Sequence, residues 1–259
     1  MLSKITILSL LLFVAIYPLC FWINFKDPLK QNFHRFHLGL PALVAGVLAV
    51  FLISTNMEDP LKMLLAGWAT ALLMLTFVSW KKESPNVFWV ALVCLTGLSI
   101  FAISMEDIIG KGVGSAAIFL SILGGFIFSS CLYAMNLGHW YLNVHGLPIH
   151  YLKRAVYVFG LFLVARFLAD GVLLFTVKTA YLGEMVPLYK FSLTTEGFFI
   201  WLALFFGTFF PLFGIYFVLD TLSVKNTQSA TGILYALLCS VLIGDITYKY
   251  YLIQFGIAL

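Results

Sequence analysis

Two pairs of opposite charges interrupt the most apolar stretches of this chain. Arg166 and Asp170 stand four apart inside LFLVARFLADGVLLF, and Asp245 and Lys249 repeat the spacing in reverse order inside LCSVLIGDITYKYYLI. Residues four apart share one face of a helix, so each acid can pair with its base. A charge at the bilayer centre costs about 2.5–3.5 kcal/mol on insertion scales, so such residues usually face a cavity or a partner. The chemistry open to Asp170, Asp245 and Arg166 is the handling of protons and charge, with Tyr248 as a hydrogen-bond partner. The structural alternative is a four-charge clamp between two helices, or Lys249 reaching out to the interface.

Depth supports grouping the pairs. Arg166 lies twelve residues beyond Arg154, about 18 Å along a helix. Asp245 lies sixteen residues into a span that begins near Ser229, about 24 Å on the same rise. If both helices enter from one side, the pairs reach similar depth, in the half of the membrane away from the histidines.

The histidines offer a second chemistry. His37 and His139 are expected at one membrane boundary, where two imidazoles could sandwich a haem b. His34 and His37 share a face only if their helix begins before Phe33. In Gly138-His139-Trp140-Tyr141-Leu142, preceded by Asn136, the trio Asn136, His139 and Tyr141 could hydrogen-bond a carbonyl head group while Trp140 stacks on it. The competing readings are aromatic anchoring and the polar belt at a membrane surface. No tight ligand spacing points to zinc. Cys20, Cys94, Cys131 and Cys239 form no CxxC and read as small buried hydrophobes.

The elements that hold these residues follow from composition. Of 259 residues, 62% are hydrophobic and 10% charged, against about 25% charged in soluble domains. Apolar runs of about 20 residues recur throughout, without the alternation a barrel needs. The expected fold is an all-α polytopic integral membrane protein with eight spans, near 5–23, 36–54, 61–80, 86–104, 115–137, 153–177, 197–220 and 229–256. The first run lacks a small-residue cleavage site and reads as a span, not a signal peptide. Turn residues such as Asp27-Pro28, Asn56 to Pro60 and Gly146 to Pro148 separate the spans. The longest connection, Lys178 to Glu196, has room for a short interfacial helix. No soluble domain fits, so the chain reads as one transmembrane domain. The similar basic, His-bearing loops 1–2 and 5–6 hint at two four-helix halves, 1–110 and 111–259.

Orientation follows the Lys/Arg bias of short loops. Lys26, Lys30, Arg35, Lys81, Lys82, Lys153, Arg154 and Lys225 fall on one side; Lys4, Lys62, Lys111, Lys178, Lys190 and Lys249 fall on the other, with Glu58-Asp59 and Glu106-Asp107. This puts both termini outside and His34, His37, His139, His145 and His150 at cytoplasmic ends. The net charge of +4 gives no reason to expect nucleic acid. No nucleotide-binding loop, catalytic triad or HExxH occurs.

Thr227 to Tyr235, TQSATGILY, opens the last span with Ser229, Ala230 and Gly232, small residues that permit close helix approach. Together with GHWYL at 138–142, this stretch resembles a group of eight-span bacterial membrane proteins. The length, span number and four-plus-four layout are similar to those of NrfD/polysulfide-reductase-type membrane anchors, a likeness of architecture without a specific motif. It implies a haem-free subunit in a bacterial inner membrane that exchanges electrons between quinone and peripheral redox subunits. The expectation is therefore a quinone-interacting subunit of a respiratory complex that also conducts protons. Alternatives are a haem b subunit, a small-solute or ion transporter, and a structural or assembly subunit. Against transport, Gly207 to Gly214 is the only candidate helix break.

Overall fold

A computed structural model describes residues 1–25, 29, 32–53, 59–110, 113–144 and 146–259. Lys26, Asp27, Pro28, Lys30, Asn56, Glu58, Lys111 and His145 lie outside the described residues. Among the described residues eight helices are long and apolar enough to cross a membrane. The protein is therefore an all-α, multi-pass membrane protein. Outward-facing Phe77 and Phe175 suit acyl chains as solvent.

The chain divides into two compact units, Leu2–Val113 and Gly114–Leu259. The first holds α1 (Leu2–Ile16), α2 (Phe33–Ile53), α3 (Asp59–Ser79) and α4 (Val87–Ile109). Pro18 cannot donate to the carbonyl four residues back, and α1 gives way at Tyr17 to a tighter 3-10 stretch that runs to Asn24. Pro41 lies inside α2 and removes the bond to the His37 carbonyl. Asn86 caps α4, its Oδ1 accepting from Phe88 N–H at 3.0 Å. Contacts run α1 to α2, α2 to α3, α3 to α4, and α4 back to α1. This is a ring of chain neighbours, the antiparallel four-helix arrangement.

The second unit repeats that ring with α5 (Ser115–Asn143), α6 (His150–Thr176), the pair α8 (Phe199–Leu204) and α9 (Phe210–Ser223), and α10 (Thr227–Phe255). Asn226 caps α10 by accepting from Ser229 N–H at 3.0 Å. Gly256, at φ +65°, closes it. There Gly256 N–H bonds to Leu252 O, the αL ending, and Ile257 N–H to Tyr251 O, and Ile257 and Leu259 are buried against the bundle.

Between α6 and α8 the chain builds a hairpin and not a lone interfacial helix. Strand β1 (Lys178–Tyr181) pairs antiparallel with β2 (Glu184–Pro187), and a one-turn helix, α7 (Leu188–Phe191), follows. Leu182 and Gly183 form the two-residue turn at φ +52° and +84°, the signs of a type I′ turn. Leucine resists this conformation, and Leu182 is 88% exposed, so no burial offsets the strain. Leu182→Asn should stabilise the folded protein by about 1 kcal/mol, read as a higher unfolding temperature in detergent. A lower one would mean that the leucine side chain has a contact the turn geometry does not reveal.

Candidate functional site

The site in the second unit starts from a proline. Pro211 has no N–H to give the Gly207 carbonyl, and its ring crowds that oxygen. The helix widens just before it into a π turn, Phe205–Phe209, joining α8 to α9. Phe210 N–H reaches back to Phe205 O, and Ser240 Oγ on α10 donates to Phe206 O at 2.7 Å. The widened turn lies tight against α10. A Cβ on Gly244 would collide with the Gly207 main chain, and one on Gly207 would come within 2.6 Å of the Tyr248 ring. Thr208 is thereby turned into the bundle and fully buried.

Asp170 on α6 is the centre to which these parts converge. Its Oδ2 accepts from Tyr248 Oη at 2.7 Å and from Thr208 Oγ1 at 2.9 Å. Its Oδ1 stands 3.0 Å from Arg166 Nε. Arg166 spends its remaining donors on main-chain oxygens, Nη1 to Leu120 O at 3.0 Å and Nη2 to Leu259 O at 2.5 Å. The guanidinium also sits 3.8 Å from the centre of the Tyr248 ring, a desolvated cation–π contact. Arg166 and Asp170 are 2% and 3% exposed. A buried ion pair needs further hydrogen bonds around it; here they come to Asp170 Oδ2 and from the two Nη atoms, while Arg166 Nε and Asp170 Oδ1 face only each other. This half of the site is fixed.

Asp245 and Lys249 on α10 make the second buried ion pair, Lys249 Nζ to Asp245 Oδ1. Their surroundings differ from those of Asp170. Two small cavities, each with room for about one water, share Gly124, Arg166, Asp245 and Tyr248 as walls. One extends toward Ala117, Ser121, Lys249 and Leu259. The other extends toward Ile127, Gly207 and Val241. From Ala117 to Ile127 is ten residues of α5, about 15 Å along the helix. Asp245 lies where the two cavities meet.

The remaining sequence candidates do not join this site. His139 and Tyr141, two apart on α5, point about 200° from each other around the helix. Tyr141 Oη donates to Pro148 O in the following turn, while His139 is exposed. Asn136 is half-buried on the side of His139, so the three do not converge on one head group. His37 belongs to the first unit. Its Nδ1 donates to Phe33 O at 2.8 Å, and its ring is stacked by Phe33 at 3.8 Å and Tyr17 at 5.7 Å. His34 is engaged separately, Nε2 donating to Ser79 O at 3.0 Å. Among the described residues no group of three His, Cys, Asp or Glu could hold a metal ion. Cys20, Cys94 and Cys131 are buried, whereas Cys239 is exposed on α10.

The two sequence stretches at 138–142 and 227–235 do meet, by packing. Gly138 lies against the Thr231 side chain, and Ala230 and Thr231 are buried. Ser229 and Gly232, read from the sequence as permitting close helix approach, are exposed, and Ala230 is the buried one of the three. Thr208 is a site residue the sequence reading missed; its signal was Pro211 three residues on.

Arg166→Met strips Asp170 of its counter-charge and should lower stability by about 3–5 kcal/mol. Arg166→Met/Asp170→Leu should recover part of that loss, the rest reflecting the acceptor taken from the Tyr248 and Thr208 hydroxyls, which keep only each other at 3.0 Å. Thermal unfolding in detergent reads both, and equal losses would argue against charge pairing as the source of the effect. Compared with known proteins, the chain matches no family model, no curated protein and no solved structure.

Proposed function

We propose that this membrane protein handles protons through Asp245 and Lys249 in its second helical unit. The observation that carries the reading is the pair of water-sized cavities meeting at Asp245, deep in the span of α5 and α10. Ionisable groups within a membrane are costly and most often mark ion or proton paths. Lys249 and Asp245 are in direct hydrogen-bond contact. Moving one proton along that bond converts the ion pair to a neutral acid and amine, and a water beside Asp245 can take the proton onward. Asp170, held by Arg166, Tyr248 and Thr208, serves as the fixed charge that orients the Tyr248 wall. The π turn adds support, since such turns are frequent at functional sites.

The likeness to quinone-interacting anchors supplies a setting, a bacterial cytoplasmic membrane and a redox complex whose peripheral subunits carry the metal centres. The basic loops favour both termini outside. A quinone ring is far larger than one water, so quinone would reach Asp245 only if Ala258 and Leu259 withdrew from the cavity wall. Proton handling needs no such opening, and it is the function the geometry supports best.

The test is proton flux into liposomes that carry the purified chain and an internal pH dye, driven by a potassium diffusion potential. Asp245→Asn should remain inserted and cut flux at least about tenfold, in the range one positioned proton-transfer group contributes. Equal flux in parent and variant, including none in either, rejects a proton path through this chain.

A further inference from the structure

The first unit carries a second arrangement, at the end where α1 stops, α2 begins, α3 stops and α4 begins. Arg35 on α2 reaches across to the end of α3, donating from Nε to Trp80 O at 2.9 Å. Its guanidinium carbon lies 5.6 Å from the centre of the Trp80 ring. Two contacts thus fix the plane of the guanidinium, yet neither terminal nitrogen has a partner among the described residues. Lys81 and Lys82 follow Trp80 directly, and Lys82 N–H turns back to Ser79 O at 3.0 Å. Both lysines are therefore within one turn of the oxygen that holds Arg35, and both are exposed. Neither has an ion-pair partner among the described residues. Glu83 is the one acid in that connection, so three positive charges face one negative.

The level of this cluster is set by aromatic side chains. Trp22, Phe25 and Phe88 pack together, Trp22 stacking on Phe25 at 5.2 Å and meeting Phe88 edge-on at 5.6 Å. All three are exposed, as are Trp80 and Trp89. Exposed tryptophans at one end of a helical bundle sit at the headgroup layer. At the opposite end, α4 finishes with exposed Glu106 and Asp107. The geometry points to a binding site for the phosphate of an anionic phospholipid headgroup between α2 and α3. Arg35 presents its two terminal nitrogens to the phosphate as a fork. Lys81 and Lys82 supply the charge that discriminates an anionic lipid from a zwitterionic one, and Trp80 backs the guanidinium.

The experiment is native mass spectrometry of the full chain in detergent, titrated separately with phosphatidylglycerol, phosphatidylcholine and inorganic phosphate. The parent should bind phosphatidylglycerol more tightly than phosphatidylcholine. Lys81→Ala/Lys82→Ala, which touches no buried contact, should weaken phosphatidylglycerol about fivefold for each lysine removed, with its unfolding temperature unchanged in the absence of lipid. Arg35→Gln should weaken it at least as much. Equal binding of the two lipids, or a lysine variant that binds as the parent does, overturns the site. Competition by millimolar inorganic phosphate as effective as the lipid itself would assign it to a free anion and overturn the lipid assignment.

Discussion

The second unit depends on the neutralisation of one arginine. Arg166 is fully enclosed in an apolar bundle, and its guanidinium is held on every side: Asp170 beside it, carbonyls of α5 and of the folded-back end at its tips, and the Tyr248 ring on its face. Those contacts tie four separate elements to one point. The position of the Asp170 carboxylate follows from Arg166, that of Tyr248 follows from both, and the wall of the cavities beside Asp245 follows from Tyr248. Local backbone chemistry serves the same end. The missing N–H of Pro211 widens the helix, the π turn brings in Thr208, and Gly207 and Gly244 let α10 come close enough for Tyr248 to reach Asp170.

The two buried acids thus have different work although the sequence presents them alike. Asp170 takes two hydroxyl donors on Oδ2 and sets Oδ1 against the Arg166 guanidinium. Asp245 pairs with Lys249 on its own helix and stands against two cavities. What distinguishes them is not residue type or spacing but what stands beside each, the Thr208 and Tyr248 hydroxyls at Asp170 and two cavities at Asp245.

This explains what the sequence could and could not convey. The eight spans were legible because apolar runs of that length have few alternatives in water, and the observed helices overlap every expected span. The four charges were legible because they are rare there. The oxygens of Leu120 and Leu259 that hold Arg166 were not, since any residue carries a carbonyl. Thr208 was hidden as one hydroxyl among phenylalanines. The hairpin was hidden because its turn is Leu-Gly in place of the Asn-Gly that signals a type I′ bend. The trio of Asn136, His139 and Tyr141 looked compact along the chain, but helical rotation separates the last two.

The ring connectivity of the second unit bears on how it is built into a membrane. Its closing contact joins α5 to α10, so the first and last spans of the unit meet only after all the others exist. Arg166 must therefore enter the bilayer on α6 before Thr208 or Tyr248 has been delivered to it. The i, i+4 spacing makes this tolerable, because α6 arrives with Asp170 already beside Arg166, and α10 arrives with Lys249 already beside Asp245. Each intramembrane pair is electrically neutral in itself when its span leaves the insertion machinery. The later helices then bring the two pairs to the walls of the same cavities.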